Sequence, residues 1–239
     1  KIRFEYISNP IRVWPTVNAT EFLVAIAPKE YNRLTIVEVG RILQKIVIDA
    51  TRMGLATCWI GPGADHRSIT SQLGGRFDSE KDNVICVCAI GYKSKYVPLF
   101  IKIFSQKMRK RLSLDSLFFN SHKMDTSIDT SQEPYVRFLR SYESCQWAPS
   151  SYNGQTTRGI VISDNIKVTR IDFMAVTSAK YYAAIASGIW CTNWELSCNE
   201  LKIEGKFVRL PDAEIGLSES QKNNGTPIYD ISWVINEKE

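Results

Sequence analysis

The chain has 239 residues, of which 44% are apolar and 23% charged, as is typical of a soluble globular protein with one large domain or two small ones. No apolar stretch approaches the ~20 residues of a membrane helix and no signal peptide opens the sequence, so we predict a cytoplasmic protein without membrane association. The six cysteines form no C-x-x-C pair, which excludes an ordinary zinc site and indicates reduced thiols.

The first half of the chain is predicted to contain three strands, with a long helix after the second. The strands occupy residues 2–7, 22–27 and 84–90, where apolar residues alternate or form short buried runs. Thr35 is a suitable cap for the helix, which has an apolar stripe at helical spacing. Gly54 follows at the place where a left-handed residue commonly ends a helix.

The second half opens with a linker rich in Ser, Thr and Asp and continues with alternating helices and strands. Its predicted elements are a linker at 120–133, a helix opened by a capping box from Thr130 to Glu133 and ending at about Gln146, a strand at 159–163, a helix around 174–187 and a strand at 228–235. Alternation of helices with strands indicates a mixed α and β protein. The order of the strands does not follow from this pattern.

Two segments of the chain resemble each other and suggest an internal repeat. Residues 37–61 and 174–196 align when Gly54 is superimposed on Gly188, which brings small and apolar residues into register. A repeat of this kind predicts a single-chain pseudo-dimer of two related halves. The predicted halves are residues 1–119 and 134–239, joined by a linker at 120–133. Because the two halves would then pair within one chain, we expect that the protein can act as a monomer.

A cluster of basic residues lies before the linker. Residues 102–111 contain Lys102, Lys107, Arg109, Lys110 and Arg111 and no acidic residue. Such a cluster either binds an anion or forms a solvated face. The anion would be a phosphate, a nucleic acid or a membrane surface. We do not expect nucleic acid, since no series of stacked aromatic residues is interleaved with these basic residues.

The sharpest motif is Ala148-Pro149-Ser150-Ser151-Tyr152-Asn153-Gly154-Gln155. It resembles the A-P-S-S-x-N-x-Q loop of nitroreductase-like FMN flavoproteins. That family usually continues with Pro-Trp-Arg, which Arg158 matches, whereas the two preceding threonines depart from it.

Three further segments carry the same resemblance. Residues 53–61 are similar to the family's G-L-x-T-C-W-x-G segment, residues 88–92 to its strand ending in Gly-Tyr, and residues 109–114 to a basic pair near its C-terminal extension. The resemblance covers about residues 20–235 and is closest to the TM nitroreductase family, in which two nitroreductase halves are fused. The family's Arg-x-Ser-x-Arg helix is absent from these residues, and if the protein has one, it lies before Lys1.

The resemblance implies an α+β nitroreductase-like fold that binds FMN, with the loop of the second half reaching a flavin held by the first. Amide side chains suit the mixed donors and acceptors of a flavin edge, arginines suit its phosphate, and a tryptophan beside a glycine turn suits its ring. The implied cofactor-binding residues are Thr57, Trp59, Ile60, Gly61, Arg109, Arg111, Pro149, Ser150, Ser151, Asn153 and Gln155.

The implied activity is a ping-pong transfer of electrons from NAD(P)H through FMN to a small electron-poor acceptor such as a nitroaromatic or a quinone. No catalytic side chain is then needed, because the flavin carries the chemistry. Two alternatives stay open: a non-catalytic protein that stores or senses FMN, and a flavin-destructase or dehalogenase branch of the same superfamily.

Overall fold

The computed structural model describes the chain except for residues 9, 15, 17, 62, 100, 104–108, 165, 218–220, 222–224 and 237–239. It divides into two compact units, Lys1–Arg109 and Lys110–Glu239, which we call unit 1 and unit 2. Within the described residues, no helix combines the length and the apolar character needed to cross a bilayer. All six cysteines are free, and five of them are buried.

Unit 1 contains a four-stranded antiparallel sheet and, among the elements that the structure describes along their full length, two helices. Its strands are β1 (Arg3–Ile7), β2 (Phe22–Pro28), β3 (Ala56–Ile60) and β4 (Asp82–Gly91), in the order β1-β2-β4-β3. Helix α1 (Arg33–Arg52) connects β2 to β3, and helix α2 (His66–Leu73) connects β3 to β4.

Helix α1 has the predicted apolar stripe but begins earlier than expected. Ile36, Val39, Leu43 and Ala50 are buried along one face. The cap is Asn32, not Thr35, because the Asn32 side chain accepts a hydrogen bond from the backbone N–H of Thr35.

Unit 2 is a five-stranded sheet that packs against a central helix. Its strands are β5 (Phe118–Phe119), β6 (Thr157–Ser163), β7 (Val168–Ala175), β8 (Gly205–Val208) and β9 (Ile228–Ile235), in the order β5-β6-β7-β9-β8. Its helices are α3 (Leu139–Gln146), α4 (Tyr182–Glu200) and α5 (Asp212–Ile215). Helix α4 forms the core, where Trp194 stacks on Phe138 at 5.7 Å between ring centroids.

The predicted domain limits need correction at residues 110–133. Residues 110–119 belong to unit 2, since β5 pairs in parallel with β6. The predicted linker also belongs to unit 2. Ile128 is buried, and its N–H donates to the carbonyl of Phe118. The His122 side chain is hydrogen-bonded to the Asp172 carboxylate in β7. These residues are therefore an integral part of the second unit.

The predicted helix at 174–187 is also wrong in its position. Met174 lies in β7, and α4 begins at Tyr182 and continues through the buried Gly188 to Glu200. Gly188 therefore lies within a helix, whereas Gly54 lies beyond the end of one, so the proposed alignment of these two glycines is incorrect.

The two units nevertheless share one strand topology. Their sequences align at positions other than those of the predicted repeat. The order β1-β2-β4-β3 corresponds to β6-β7-β9-β8, and a long helix follows the second strand in both units. Both helices end alike: the N–H of Leu55 donates to Ala50 at 2.9 Å, and the N–H of Ile203 donates to Cys198 at 2.8 Å. Gly54 and Lys202, at the matching position, both have positive φ. This Schellman ending aligns Gly54 with Lys202.

A β-bulge at equivalent positions in the two units supports this alignment. The pairing of β2 with β4 shifts between Ala25 and Ile26, and that of β7 with β9 shifts between Phe173 and Met174, which are the matching positions. An extra residue in a strand reverses which face the following side chains occupy. Both units therefore orient their core side chains through the same irregularity.

One matching pair of core positions differs sharply in polarity between the units. In unit 1, the buried Val24 lies opposite the buried Val87. In unit 2, Asp172 takes the place of Val24 and lies opposite Ser232, and both are fully buried. The Asp172 carboxylate accepts hydrogen bonds from the Ser232 hydroxyl at 2.5 Å and from Arg170 Nε at 3.0 Å, and it is 2.8 Å from His122 Nε2.

Candidate functional site

The motif loop of unit 2 follows the end of α3 and has an unusual backbone. Tyr152, Asn153 and Gln155 have φ values of 52°, 52° and 45°. Residues other than glycine rarely adopt this region, at a cost of about 1–3 kcal/mol each, and such strain concentrates at functional sites. The Ser150 hydroxyl accepts from the N–H of Gln155 at 2.9 Å, and the Ser150 carbonyl accepts from the N–H of Asn153 at 3.0 Å.

The amide side chains of this loop hold the backbone of Lys110 and Leu112. Asn153 Nδ2 donates to the carbonyl of Lys110 at 2.7 Å, and Gln155 Nε2 donates to the same carbonyl at 3.2 Å. The N–H of Leu112 donates to Gln155 Oε1 at 2.8 Å. Gln146, at the end of α3, donates to the carbonyl of Leu112 at 2.8 Å. In this structure the two amides predicted to face a flavin bind protein backbone.

Arg111 is fixed between the loop and a tryptophan. Its Nη1 donates to Asn153 Oδ1 and its Nη2 donates to the carbonyl of Trp147 at 3.4 Å, while its guanidinium carbon lies 5.6 Å from the centre of the Trp147 ring. Burial lowers the pKa of Arg111, which still carries its charge at neutral pH. Arg111 Nε is buried without a partner in the described part of the chain. The structure thus brings together Arg111 and Asn153, which the sequence predicted as site residues from two separate segments.

The outer face of the loop carries aromatic rings and a hydroxyl. Trp147 is 63% exposed and Tyr152 is 67% exposed, on either side of Pro149 and Ser150 in the sequence. Ser151 is half-buried, and its hydroxyl has no hydrogen-bond partner among the described residues. The sequence analysis missed both rings, although their positions flanking the Pro-Ser-Ser motif were a usable signal.

Arg158 reinforces the end of the loop. Its Nη1 donates to the carbonyls of Gln155 at 2.6 Å and Thr157 at 2.8 Å, and burial lowers its pKa. Thr157, where the sequence departs from the family's Pro-Trp, is the first residue of β6 and is fully buried. Its hydroxyl has no partner in the described part of the chain.

The site residues predicted in unit 1 lie in or beside β3. Thr57 and Trp59 alternate with Cys58 and Ile60, so the two pairs face opposite sides of the sheet. Ile60 is only 2% exposed and packs in the core with Cys58, which rules it out as an open wall for a ligand. Trp59 is half-buried, and its indole N–H is buried without a partner among the described residues.

The remaining predictions concern the basic cluster. Arg109 is exposed at the end of unit 1, and Lys110 is exposed at the start of unit 2. Lys107 lies outside the described residues. Across the residues that the structure describes, no group of three or more His, Cys, Asp or Glu side chains has an arrangement suited to a metal ion.

Comparison with known proteins agrees with the fold and the motifs. A family model described as "Putative TM nitroreductase" matches residues 8–187, which is more than half of the chain. A comparison with curated proteins gives no match.

Two solved structures resemble this chain in fold. A "putative nitroreductase" from Thermotoga maritima is 16% identical with a TM-score of 0.56, and the match covers 98% of this chain and 79% of the other. A "putative nitroreductase" from Anabaena variabilis is 9% identical with a TM-score of 0.54, covering 92% of this chain and 70% of the other. At these identities the likeness establishes the fold alone.

Proposed function

The chain belongs to the TM nitroreductase family, which indicates an oxidoreductase, and on that premise we propose that it binds FMN and transfers electrons from NAD(P)H to an electron-poor acceptor such as a nitroaromatic or a quinone. The observation that carries the proposal is the strained loop of unit 2, which fixes the guanidinium of Arg111 between Asn153 and Trp147. Strain of this kind persists only where surrounding contacts impose it.

The residues of this loop fit an anionic, aromatic cofactor. Arg111 supplies a fixed positive charge, and its unpartnered Nε is a donor that the described residues leave unused. Ser151 supplies a hydroxyl that can donate or accept, while Trp147 and Tyr152 present exposed rings. A flavin phosphate, ribityl chain and ring need these same three kinds of group.

Bound FMN would supply the hydride-transfer chemistry, and the chain would bind and orient it. Arg111 would offset negative charge on the cofactor, at a position that Asn153 and the Trp147 carbonyl fix. Asn153 and Gln155 would position Arg111 without contacting the cofactor themselves, since they hold the backbone on either side of it. None of these residues needs to exchange a proton.

The first test is spectroscopic. The purified protein, reconstituted with FMN, should absorb in the flavin region and lose that absorption when NADH or NADPH is added without oxygen. Reoxidation by a quinone or a nitroaromatic should restore it. Flavin that binds but is not bleached would favour the storage or sensing alternative, and failure to bind FMN would overturn the proposal.

The second test concerns Arg111. Losing a charge-assisted contact costs about 1.5–3 kcal/mol, or one to two decades in affinity. R111A should therefore weaken FMN more than riboflavin, which has no phosphate, in parallel titrations. R140A is the matched comparison, because Arg140 is exposed on α3 and is not among the predicted cofactor-binding residues. Equal weakening of both ligands by R111A would show that Arg111 does not bind the phosphate.

We also propose that the protein acts in the cytoplasm as a monomer. The six free cysteines support a reducing compartment. The shared topology of the two units supports the idea that the dimer of ordinary relatives is contained in one chain. Sedimentation at increasing concentration tests the second point, and a stable dimer would contradict it.

A further inference from the structure

A segment beyond β4 exposes more apolar surface than a water-facing loop requires. We call residues 92–99 together with 101–103 the Tyr92 segment. Five of its large side chains are exposed: Tyr92 87%, Tyr96 70%, Leu99 70%, Ile103 48% and Val97 47%. Clustered apolar exposure of this kind marks an interaction surface, whereas isolated exposed apolar residues need no explanation.

The same part of the chain is strongly basic. Residues 83–114 contain seven Lys or Arg and no Asp or Glu. Lys93 and Lys95 are exposed and lie between the exposed rings of Tyr92 and Tyr96. The Ser94 hydroxyl donates to the carbonyl of Tyr96 at 2.7 Å and accepts from its N–H at 3.1 Å, which fixes the local backbone. Exposed rings and positive charge thus occur together.

We propose that the Tyr92 segment binds the surface of an anionic phospholipid bilayer. Tyrosine rings favour the boundary between headgroups and acyl chains, where the ring is buried and the hydroxyl stays wet. Lys93 and Lys95 reach anionic headgroups at the ends of long apolar stems. This is peripheral attachment, whereas the predicted absence of membrane association rested on the lack of a spanning segment, and a membrane surface was named only as one possible anion for residues 102–111.

The aliphatic side chains distinguish this occupant from two others. Nucleic acid would use the tyrosines and lysines, but Val97, Leu99 and Ile103 have no counterpart in stacking on bases. A second copy of the chain would bring like charges together, since residues 83–114 contain no Asp or Glu. A bilayer surface uses both the apolar and the basic groups.

The test is co-sedimentation of the whole protein with phosphatidylcholine vesicles, with and without phosphatidylglycerol. The protein should bind the vesicles containing phosphatidylglycerol, and added salt should weaken that binding. The double variant K93E/K95E should bind at least about tenfold more weakly. Y92S/Y96S/L99S should also reduce binding to the level of phosphatidylcholine alone.

Matched controls use exposed residues elsewhere. K123E/K206E makes the same change in net charge, and I166S removes another exposed apolar side chain, so both should bind as the parent does. Circular dichroism checks that all variants fold. The proposal is overturned if the parent does not bind, if it binds both vesicle types equally, if the control pair weakens binding as much as K93E/K95E, or if single-stranded oligonucleotides bind while vesicles do not.

Discussion

At the scale of single residues, Asn153 combines an unfavourable backbone conformation with a side chain that holds Lys110 and Arg111. N153A and N153G both remove the side-chain amide and must both keep the positive φ, which is strained for alanine but not for glycine. We expect both variants to destabilise the apoprotein, by about 1–3 kcal/mol for the unpaired partners, with alanine worse by roughly 1 kcal/mol.

Urea unfolding of the apoprotein measures this difference, and FMN titration of the same variants measures the effect on the ligand. If the two variants unfold alike, the left-handed conformation at Asn153 carries no cost. If neither variant changes stability, the contacts with Lys110 and Arg111 contribute nothing.

The buried Asp172 should make stability depend on pH. Burial alone would raise the pKa of Asp172, but hydrogen bonds from His122 and Ser232 and the charge of Arg170 together hold it below its ordinary value of 3.8. Because the pKa is lower in the folded chain, this contribution is present above that value and is lost as the pH falls below it.

D172N should therefore be less stable than the parent at neutral pH, and the difference should shrink as the solution is acidified below pH 3.8. Thermal midpoints across that range measure it. D115N, at an exposed position, is the control and should follow the parent throughout. A difference between D172N and the parent that does not change with pH would exclude ionised Asp172 as its cause.

At the scale of elements, the C-terminal ends of α1 and α4 have the same geometry but different residues. A substitution at each end should therefore change stability in opposite directions. Gly54 has a φ of 78° with open space around it, so G54A adds strain without a clash. Lys202 has a φ of 57° at the matching position, so K202G relieves strain there. We expect G54A to destabilise unit 1 and K202G to stabilise unit 2, each by up to about 1 kcal/mol.

Denaturant unfolding with a probe in each unit measures both changes. The exposed K206G, within β8, is the control for glycine itself and should destabilise. A loss of stability in K202G would mean that the lysine side chain contributes more than its backbone strain costs.

The same two helices show what could be predicted from the sequence. Helix α1 has one apolar face, so its periodicity located it to within a few residues. Helix α4 is buried on most of its surface, so its sequence carries little periodic signal. Its start was therefore confused with the apolar end of β7, and Gly188 was mistaken for a helix terminator.

The candidate site residues came from motifs, whereas their contacts could not be predicted. Asn153, Gln155 and Arg111 were named because the motif and the basic cluster are recognisable in the sequence, and their role at a cofactor stays a prediction. Their mutual hydrogen bonds were not predicted, because they join residues about forty positions apart, and sequence pattern gives no such distances. Ile60 was misassigned because an alternating strand shows which residues share a face but not which face is buried.

At the scale of the whole molecule, two units of one topology raise the question of how many cofactors bind. Because the strained loop that holds Arg111 belongs to unit 2, we expect a single FMN per chain. Titration of apoprotein with FMN, followed by fluorescence, should saturate near one equivalent. Two equivalent sites would show that unit 1 binds flavin as well and would contradict the idea of halves with different roles.

The exposed Trp147 gives the motif loop a built-in optical reporter. Of the six tryptophans, Trp190, Trp194 and Trp233 are buried, whereas Trp147 and Trp14 are 63% and 57% exposed. A collisional quencher such as iodide therefore reaches chiefly these two. In the variant W14F, Trp147 would be the main tryptophan whose fluorescence iodide quenches. Indole emission overlaps flavin absorption, so changes at this loop are open to observation in time, without any attached label.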